Sequence, residues 1–594
     1  MTPARLILLI VVLHACAVGL AAAEQRADGA EFADTVRTFD VEESTVSRFY
    51  NLPWADACNA RRAQMYAAWQ VTLAAADFDA LGEAGRIDWL LLRTQLTYEL
   101  AKLAEDRARL AQLADLLPFR TPVADLLMAR WHHEQVDQAA AAATLAAIPD
   151  QVRRIRARLE LGHKVADKDA AAEHPPADGV KVDEAVPLPI TPLLALRATQ
   201  TIAAMREATK AWYEAYDGAQ PGFSWWMKSP YEQSEKALDE FVKYLREDCA
   251  GLKGKDEDPL LGEALGAAGL ARDLAKEFLP YTPDELLAIG EREFAWCEAR
   301  MREAAKAMGC ADDWHAALER VKADSAPPGA QDAYIASQAV EAIAFVTQRD
   351  LVTVPPLCAE TWRIKLITSD AQRLTPYVAY DGMNVLAAYA REDMSNADKL
   401  MSMRGNNRHF TRLTTAHELI PGHHLQSWYA QRFRAYRGEF TTPFLVEGWA
   451  LYWEMALWDL GYARSPEDQV GMLFWRMHRA ARIIVTLKFH LGRMTPAQMV
   501  DFLVERVGHE RFGATSEVRR YIGGDYAPLY QCGYMVGGLQ LRALAKELTA
   551  TGMTTKQVND AVLHCGTIPV ELIRASLRGL PLGRETRAAW RFDD

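Results

Sequence analysis

The sequence predicts a mainly α-helical protein, built from many packed helices with a small β-sheet, and three observations carry that prediction. Apolar residues recur at three-to-four spacing, as Leu103, Leu110, Leu113 and Leu117 do among Asp, Arg and Gln; this is the period of a helix with one buried face. Helix starts are marked at Ser229-Pro230-Tyr231-Glu232, Thr282-Pro283-Asp284-Glu285 and Thr495-Pro496-Ala497-Gln498. Each combines a capping hydroxyl, a proline at the first helical position and a Glu or Gln that completes a capping box. Strand character is confined to 351–393, where Val352-Thr353-Val354-Pro355-Pro356 and Tyr377-Val378-Ala379-Tyr380-Asp381-Gly382 mix β-branched and aromatic residues with breakers. With 594 residues, 50% of them apolar, the chain can bury a large core and divide into more than one packing unit.

In chain order, residues 1–23 begin with Arg5, continue through the apolar run Leu6 to Leu13 and end in Ala21-Ala22-Ala23 before Glu24. That is the pattern of a secretory signal peptide cut after Ala23. Leu13-His14-Ala15-Cys16 can also be read as a lipoprotein processing site, but His14 makes it the weaker reading. No later run reaches the ~18 apolar residues a membrane helix needs. The expected product is exported, periplasmic or secreted, with no membrane span once the signal is removed. Residues 24–163 read as an N-terminal helical scaffold, with the Ala-rich stretch Ala139 to Ala147 suited to close helix packing. Residues 164–192, carrying Pro175, Pro176, Pro187, Pro189 and Pro192, read as a linker or surface loop. Residues 193–594 read as a second, larger helical region.

Several function classes recede. The balance of 67 Lys and Arg against 79 Asp and Glu gives −12, so no broad cationic surface for nucleic acid is expected. Gly222-Phe223-Ser224-Trp225-Trp226 lacks the second glycine of a serine-hydrolase elbow and reads as aromatic packing. Gly262, Gly266 and Gly269 fall at helix-packing intervals and form no phosphate loop. The eight cysteines become seven without Cys16, and they are scattered. Cys297 with Cys310 is the one pair considered for a bridge, and packing thiols are the default.

Chemistry concentrates in His417-Glu418-Leu419-Ile420-Pro421-Gly422-His423-His424-Leu425-Gln426 and in Phe444-Leu445-Val446-Glu447-Gly448-Trp449-Ala450. In H-E-x-x-H, two histidines at i and i+4 reach one tetrahedral zinc ion and the Glu serves as base. Here i+4 is Pro421. On an unbroken helix His424 shares the face of His417, but at ~1.5 Å per residue the two stand ~10 Å apart, too far for one ion. Pro421 would clash with the carbonyl of His417 and Gly422 tolerates unusual backbone angles, so the helix is expected to open at this turn. Read as a two-residue bulge, Pro421-Gly422 restores His417-Glu418-x-x-His423, with His424 as runner-up for the second ligand.

These residues resemble the bacterial secreted proteins grouped as domain of unknown function 885, whose hallmark is H-E-x-x-P-G-H-H-x-Q and which are placed among zincin-like metallopeptidases. The Glu447-Gly448-Trp449-Ala450-Leu451-Tyr452 segment also resembles the one that supplies the third zinc ligand in aminopeptidase N-like enzymes. The resemblance implies a zincin-like, gluzincin-type fold, with a small sheet beside the active-site helix and Glu447 as third ligand. A zincin lays its substrate along an edge strand, for which Asn384 to Tyr389 is the candidate, with Asn384 counted among the substrate-binding residues. The chain departs from the family at Asp381-Gly382-Met383-Asn384, where Arg-Pro-Gly usually follows Asp-Gly. It departs again at Thr486, which stands in the place of an Asp four residues before His490 and leaves a structural role for that histidine. In Pro528-Leu529-Tyr530-Gln531-Cys532-Gly533-Tyr534, Leu529 and Tyr530 replace Gly and Gln, and Tyr534 matches the family's Tyr.

The expected function is therefore an exported zinc-dependent peptidase. His417, His423 and Glu447 hold Zn²⁺, a zinc-bound water attacks a peptide bond, and Glu418 acts as general base. Tyr534, or else Arg482 or Arg520, donates to the developing oxyanion, and Glu454, seven residues after Glu447, orients a ligand histidine. The alternative, from a different class, is a non-catalytic exported peptide-binding protein on the same fold.

Overall fold

The computed structural model describes residues 30–168, 186–254, 258–372, 375–524 and 526–593. The signal peptide at 1–23, Cys16 and most of the 164–192 segment lie outside them. The fold is mainly α, with one three-stranded sheet among the described residues. Two compact units emerge. One comprises Phe39–Ala75 and Leu96–Leu261, and the other the residues up to Thr38, Ala76–Gln95 and the chain from Gly262 onwards. The boundary expected at 164–192 instead falls inside the first unit. The helix Ile148–Lys168 runs into that segment, the next starts at Pro192 behind the Thr191 cap, and the Leu188 N–H donates to the Arg158 carbonyl.

The first unit is helix packed on helix. Leu113, Phe119, Leu145, Trp212, Phe223 and Phe241 are buried in one core, and the Ala-rich helix Gln138–Ala146 buries Ala141 and Ala142, as close packing requires. One start signal is corrected: Pro230 lies inside the helix Pro221–Tyr244. Phe223, Met227, Ser234, Leu238 and Phe241 keep a single buried stripe through that helix, so packing overrides the local capping pattern. The glycine–aromatic stretch packs only in part, since Phe223 is buried but Trp225 is 76% exposed.

In the second unit the capping boxes at Thr282 and Thr495 both form. Cys297 and Cys310 are free thiols, so the bridge considered for them is absent. The long helix Pro466–His490 is buried along almost its whole length and acts as the central post. Against it pack the helix Pro283–Ala307, through Gly290 on Ile483, and the helix Arg408–Glu418, through Gly471 on the His409 backbone.

The sheet contains β1 (Arg363–Leu366), β2 (Ala379–Tyr380) and β3 (Asn384–Ala387) in the order β1-β3-β2. β1 runs parallel to β3 with Arg363 opposite Asn384, and β2 runs antiparallel to it with Tyr380 opposite Val385. Val385 and Ala387 bury one face against Ile335, Ala339 and Leu419, which sets the sheet under the end of the helix Arg408–Glu418. The expected edge strand is corrected here, because the strand beginning at Asn384 is central. The edge beside that helix is Ala379–Tyr380.

Candidate metal centre

Asn407 starts the first site helix, Arg408–Glu418, by accepting from the N–H groups of His409 and Phe410 at 3.0 and 2.9 Å. The helix stops at Glu418 and a new one, His423–Ala430, begins after four residues. The Pro421-Gly422 step is thus a full break rather than a bulge within one helix. A Cβ at Gly422 would stand 1.7 Å from the His417 carbonyl oxygen, so only glycine lets the chain turn back this tightly. The Trp449 indole donates to the Pro421 carbonyl at 2.9 Å and ties the break to the next site helix.

That helix, Pro443–Asp459, starts at the Thr442 cap with proline at its first position. Its approach to the helix Tyr530–Ala550 is set by glycines. A Cβ on Gly448 would lie 2.7 Å from the Gly537 backbone, and one on Gly537 would lie 1.8 Å from the Phe444 carbonyl oxygen. Backbone meets backbone along this seam, which brings Glu447 under Tyr530.

Three donor groups converge. Glu447 Oε2 lies 3.1 Å from His423 Nε2 and 3.6 Å from His417 Nε2. A tetrahedral zinc site with bonds of about 2.0–2.1 Å has ligand atoms about 3.3 Å apart, and both distances fit that edge. Glu418 Oε1 lies 4.0 Å from His417 Nε2, and with His417 and His423 it offers ligand atoms all within 4.8 Å of one another. His417 Nδ1 donates to Glu454 Oε1 at 2.6 Å, which turns Nε2 toward Glu447. Glu447 and Glu454 both face His417 because seven residues are nearly two helical turns. Tyr530 donates to the other Glu447 oxygen, Oε1.

His424 faces away. Its Nε2–H donates to the Cys358 carbonyl and its Nδ1 accepts from the Tyr380 hydroxyl, both at 3.0 Å, so neither nitrogen is free to bind an ion. His490 is buried at the far end of its helix, where Nδ1 accepts from the Leu265 N–H and burial pulls it down to about 4. Its role is structural. Asn384 is not brought to the site, since its amide donates to both Asp381 oxygens, at 3.2 and 3.0 Å.

The centre favours positive charge. Burial pulls His417 down, but Glu418, Glu447 and Glu454 outweigh it and push the ring up to about 9. Burial raises Glu447, yet the two imidazoles hold it well below the usual carboxylate range. Burial pushes Glu418 up, with Glu447 adding to the effect and the histidines opposing it. Two imidazoles and two carboxylates around one point are the donor chemistry of a divalent cation site.

Beside the centre opens a cavity of about 120 Å³. His417, Glu418, Tyr534 and the three arginines Arg479, Arg482 and Arg520 are among the residues that line it. The Tyr534 ring is nearly parallel to the His417 ring at 6.1 Å, with the Arg482 guanidinium 4.4 Å from its centre. Burial and the nearby Glu447 keep the Tyr534 hydroxyl protonated, a donor in waiting. Arg482 donates to Tyr521 at 2.9 Å and to Glu517 at 2.8 Å, and Arg520 donates to Glu517 at 3.0 Å.

The sequence reading missed Tyr530 as a support for Glu447, and Glu517 with the buried chain behind it. In that chain Tyr377 meets His509 at 3.1 Å and His509 meets His478 at 2.9 Å. Burial keeps both imidazoles neutral. The 517, 520, 521 spacing does signal a shared helix face, but nothing local says which cavity that face meets.

Over residues 53–577 the chain matches the family model described as bacterial protein of unknown function, DUF885. No curated protein matches it. Among solved structures, a candidate lipoprotein of unknown function from Shewanella oneidensis has a TM-score of 0.66 at 16% identity, over 92% of this chain and 99% of that one. At that identity the likeness concerns the fold alone. A candidate lipoprotein from Colwellia psychrerythraea has a TM-score of 0.48 at 18% identity, over 74% of this chain and 75% of that one.

Proposed function

This chain belongs to the DUF885 family, and on that footing we propose that it is an exported zinc-dependent peptidase of the zincin, gluzincin-like kind. The observation that carries the reading is the single Glu447 oxygen at 3.1 and 3.6 Å from two imidazole nitrogens on separate helices. The signal-type leader at 1–23 supports export. Among the described residues no helix is long and apolar enough to cross a membrane.

His417, His423 and Glu447 would hold the ion. When bound, zinc supplies Lewis acidity, lowering the pKa of water to about 7 and polarising a carbonyl. The chain's own residues do the rest. Glu418, with its carboxyl raised by burial, takes a proton from the attacking water and returns it to the leaving amine. Tyr534, kept protonated, donates to the oxygen that gains charge. Glu454 orients the His417 ring, and Tyr530 holds one Glu447 oxygen so that the other faces the histidines. The edge Ala379–Tyr380 offers backbone groups to an extended peptide.

Metal analysis after purification without chelators, paired with mass spectrometry of a peptide library, tests this. The expected result is one zinc ion per chain, with peptide cleavage that falls about 10²- to 10⁴-fold in Glu418→Gln while zinc is retained. A protein with no stoichiometric metal would instead favour the non-catalytic peptide-binding reading, and wild-type rates in Glu418→Gln would remove the base.

A further inference from the structure

The arginines that line the cavity are more than the peptidase reading uses. Arg479 shares its carboxylate, Glu454 at 3.6 Å, with His417. Arg482 and Arg520 share one: Glu517 takes Arg482 on Oε2 at 2.8 Å and Arg520 on Oε1 at 3.0 Å. Tyr521 also donates to Glu517, and the neutral His478 sits 3.4 Å from it. Two buried or half-buried guanidiniums against one carboxylate leave one positive charge in excess. Arg482 is only 3% exposed, and its Nη1 has no hydrogen-bond partner among the described residues. A buried, unpaired donor on a charged group is costly, and with Nε and Nη2 already taken by Tyr521 and Glu517 its natural complement is an anionic oxygen.

We propose that these arginines receive the C-terminal carboxylate of a peptide substrate, so that the proposed peptidase acts from the carboxyl end of its substrates. The inference rests on the peptidase reading for the bond that is cut, and on Arg482 and Arg520 for where. The distances suit it. Tyr534 touches both groups, its ring 6.1 Å from the His417 ring and 4.4 Å from the Arg482 guanidinium. Together those two distances cap the path from His417 to the Arg482 guanidinium at roughly three residues of extended chain, at about 3.3–3.6 Å each. Hydrolysis adds water across the bond: the hydroxyl goes to the acyl carbon, the proton carried by Glu418 goes to the leaving nitrogen, and the released fragment keeps the carboxylate that the arginines hold.

The test is calorimetric binding to full-length Glu418→Gln, which binds without turnover. Three probes are compared: N-acetyl-Ala-Ala-Phe as the free acid, the same peptide as its C-terminal amide, and N-acetyl-Ala-Ala-Asp amide. The free acid is expected to bind about 10- to 100-fold more tightly than the Phe amide, the range of a charge-assisted hydrogen bond. Arg520→Gln, which leaves Glu517 paired with Arg482, should shrink that ratio to within about threefold of unity, read in protein whose circular dichroism shows it folded. Equal binding of acid and amide overturns the proposal, and so does an Asp amide that binds as well as the free acid, because the site then reads a side chain. Wild-type protein that cleaves amidated and free peptides alike also overturns it while leaving the peptidase reading intact. Absence of all cleavage alongside a persistent acid–amide ratio ends the peptidase reading and keeps the carboxylate site.

Discussion

Replacing Glu454 with Gln tests the support of the metal centre without touching a ligand. The His417–Glu454 contact is 2.6 Å, and the two residues are 2% and 4% exposed, so water cannot substitute for the lost charge. A hydrogen bond to a charged group contributes about 1.5–3 kcal/mol, and loss of such an outer partner commonly lowers metal affinity about 10- to 100-fold. The two figures agree, since 1.4 kcal/mol is about a factor of ten. Gln keeps the shape and leaves Arg479, 3.6 Å away, without its carboxylate, which places the effect in the upper half of that range. Zinc affinity is read by competition with a chromogenic chelator, and stability by denaturant unfolding in excess zinc. Glu291→Gln, which breaks an exposed pair with Lys488, is the control and should change stability by less than about 1 kcal/mol. Zinc affinity within twofold of wild type in Glu454→Gln would refute the claim that Glu454 orients His417.

Gly448→Ala places a methyl 2.7 Å from the Gly537 backbone; an overpacking cost of about 1–3 kcal/mol should lower the melting temperature, while Gly82→Ala, with nothing within 4 Å, should not. Tyr530→Phe removes the donor to Glu447 Oε1 and should weaken zinc binding several-fold with no change in fold by circular dichroism. Asp468 is held down to about 2: burial raises it, but His409, Arg464 and Arg412 outweigh burial. Its contribution, about 2.5 kcal/mol, is therefore fully present above the unfolded carboxyl value near 4 and is lost as pH falls toward 2. The stability gap between wild type and Asp468→Asn should be open at pH 7 and close over that window in pH-resolved denaturation.

Much of the centre was legible because its parts are local. His417-Glu418 on a helix, the Pro421-Gly422 breaker and Glu447 within the next helix are each set by short-range chemistry, and Glu454 follows from helical period. The choice between His423 and His424 was not legible, because neighbours in sequence point apart by an angle that depends on where the second helix restarts. That restart is fixed by Gly422 against the His417 carbonyl and by Trp449 on Pro421, which are contacts across the break. Strand order was equally hidden: Asn384–Ala387 pairs on both sides because Arg363–Leu366, 21 residues earlier, lies parallel to it, and no local pattern encodes such a crossover. Ser229-Pro230 shows the reverse error, a strong local start signal overruled by a buried stripe that passes straight through it. Tyr530 and Glu517 reach the site only through the contacts of their helices, so their roles were visible in the fold alone.

The glycine seam between Pro443–Asp459 and Tyr530–Ala550 has a mechanical consequence. Two rods touching main chain to main chain cannot slide without parting, so Glu447, Glu454, Tyr530 and Tyr534 travel as one rigid block. The facing strand Ala379–Tyr380 has no such seam: it pairs with one strand and is tied to the helix His423–Ala430 through the Tyr380 hydroxyl.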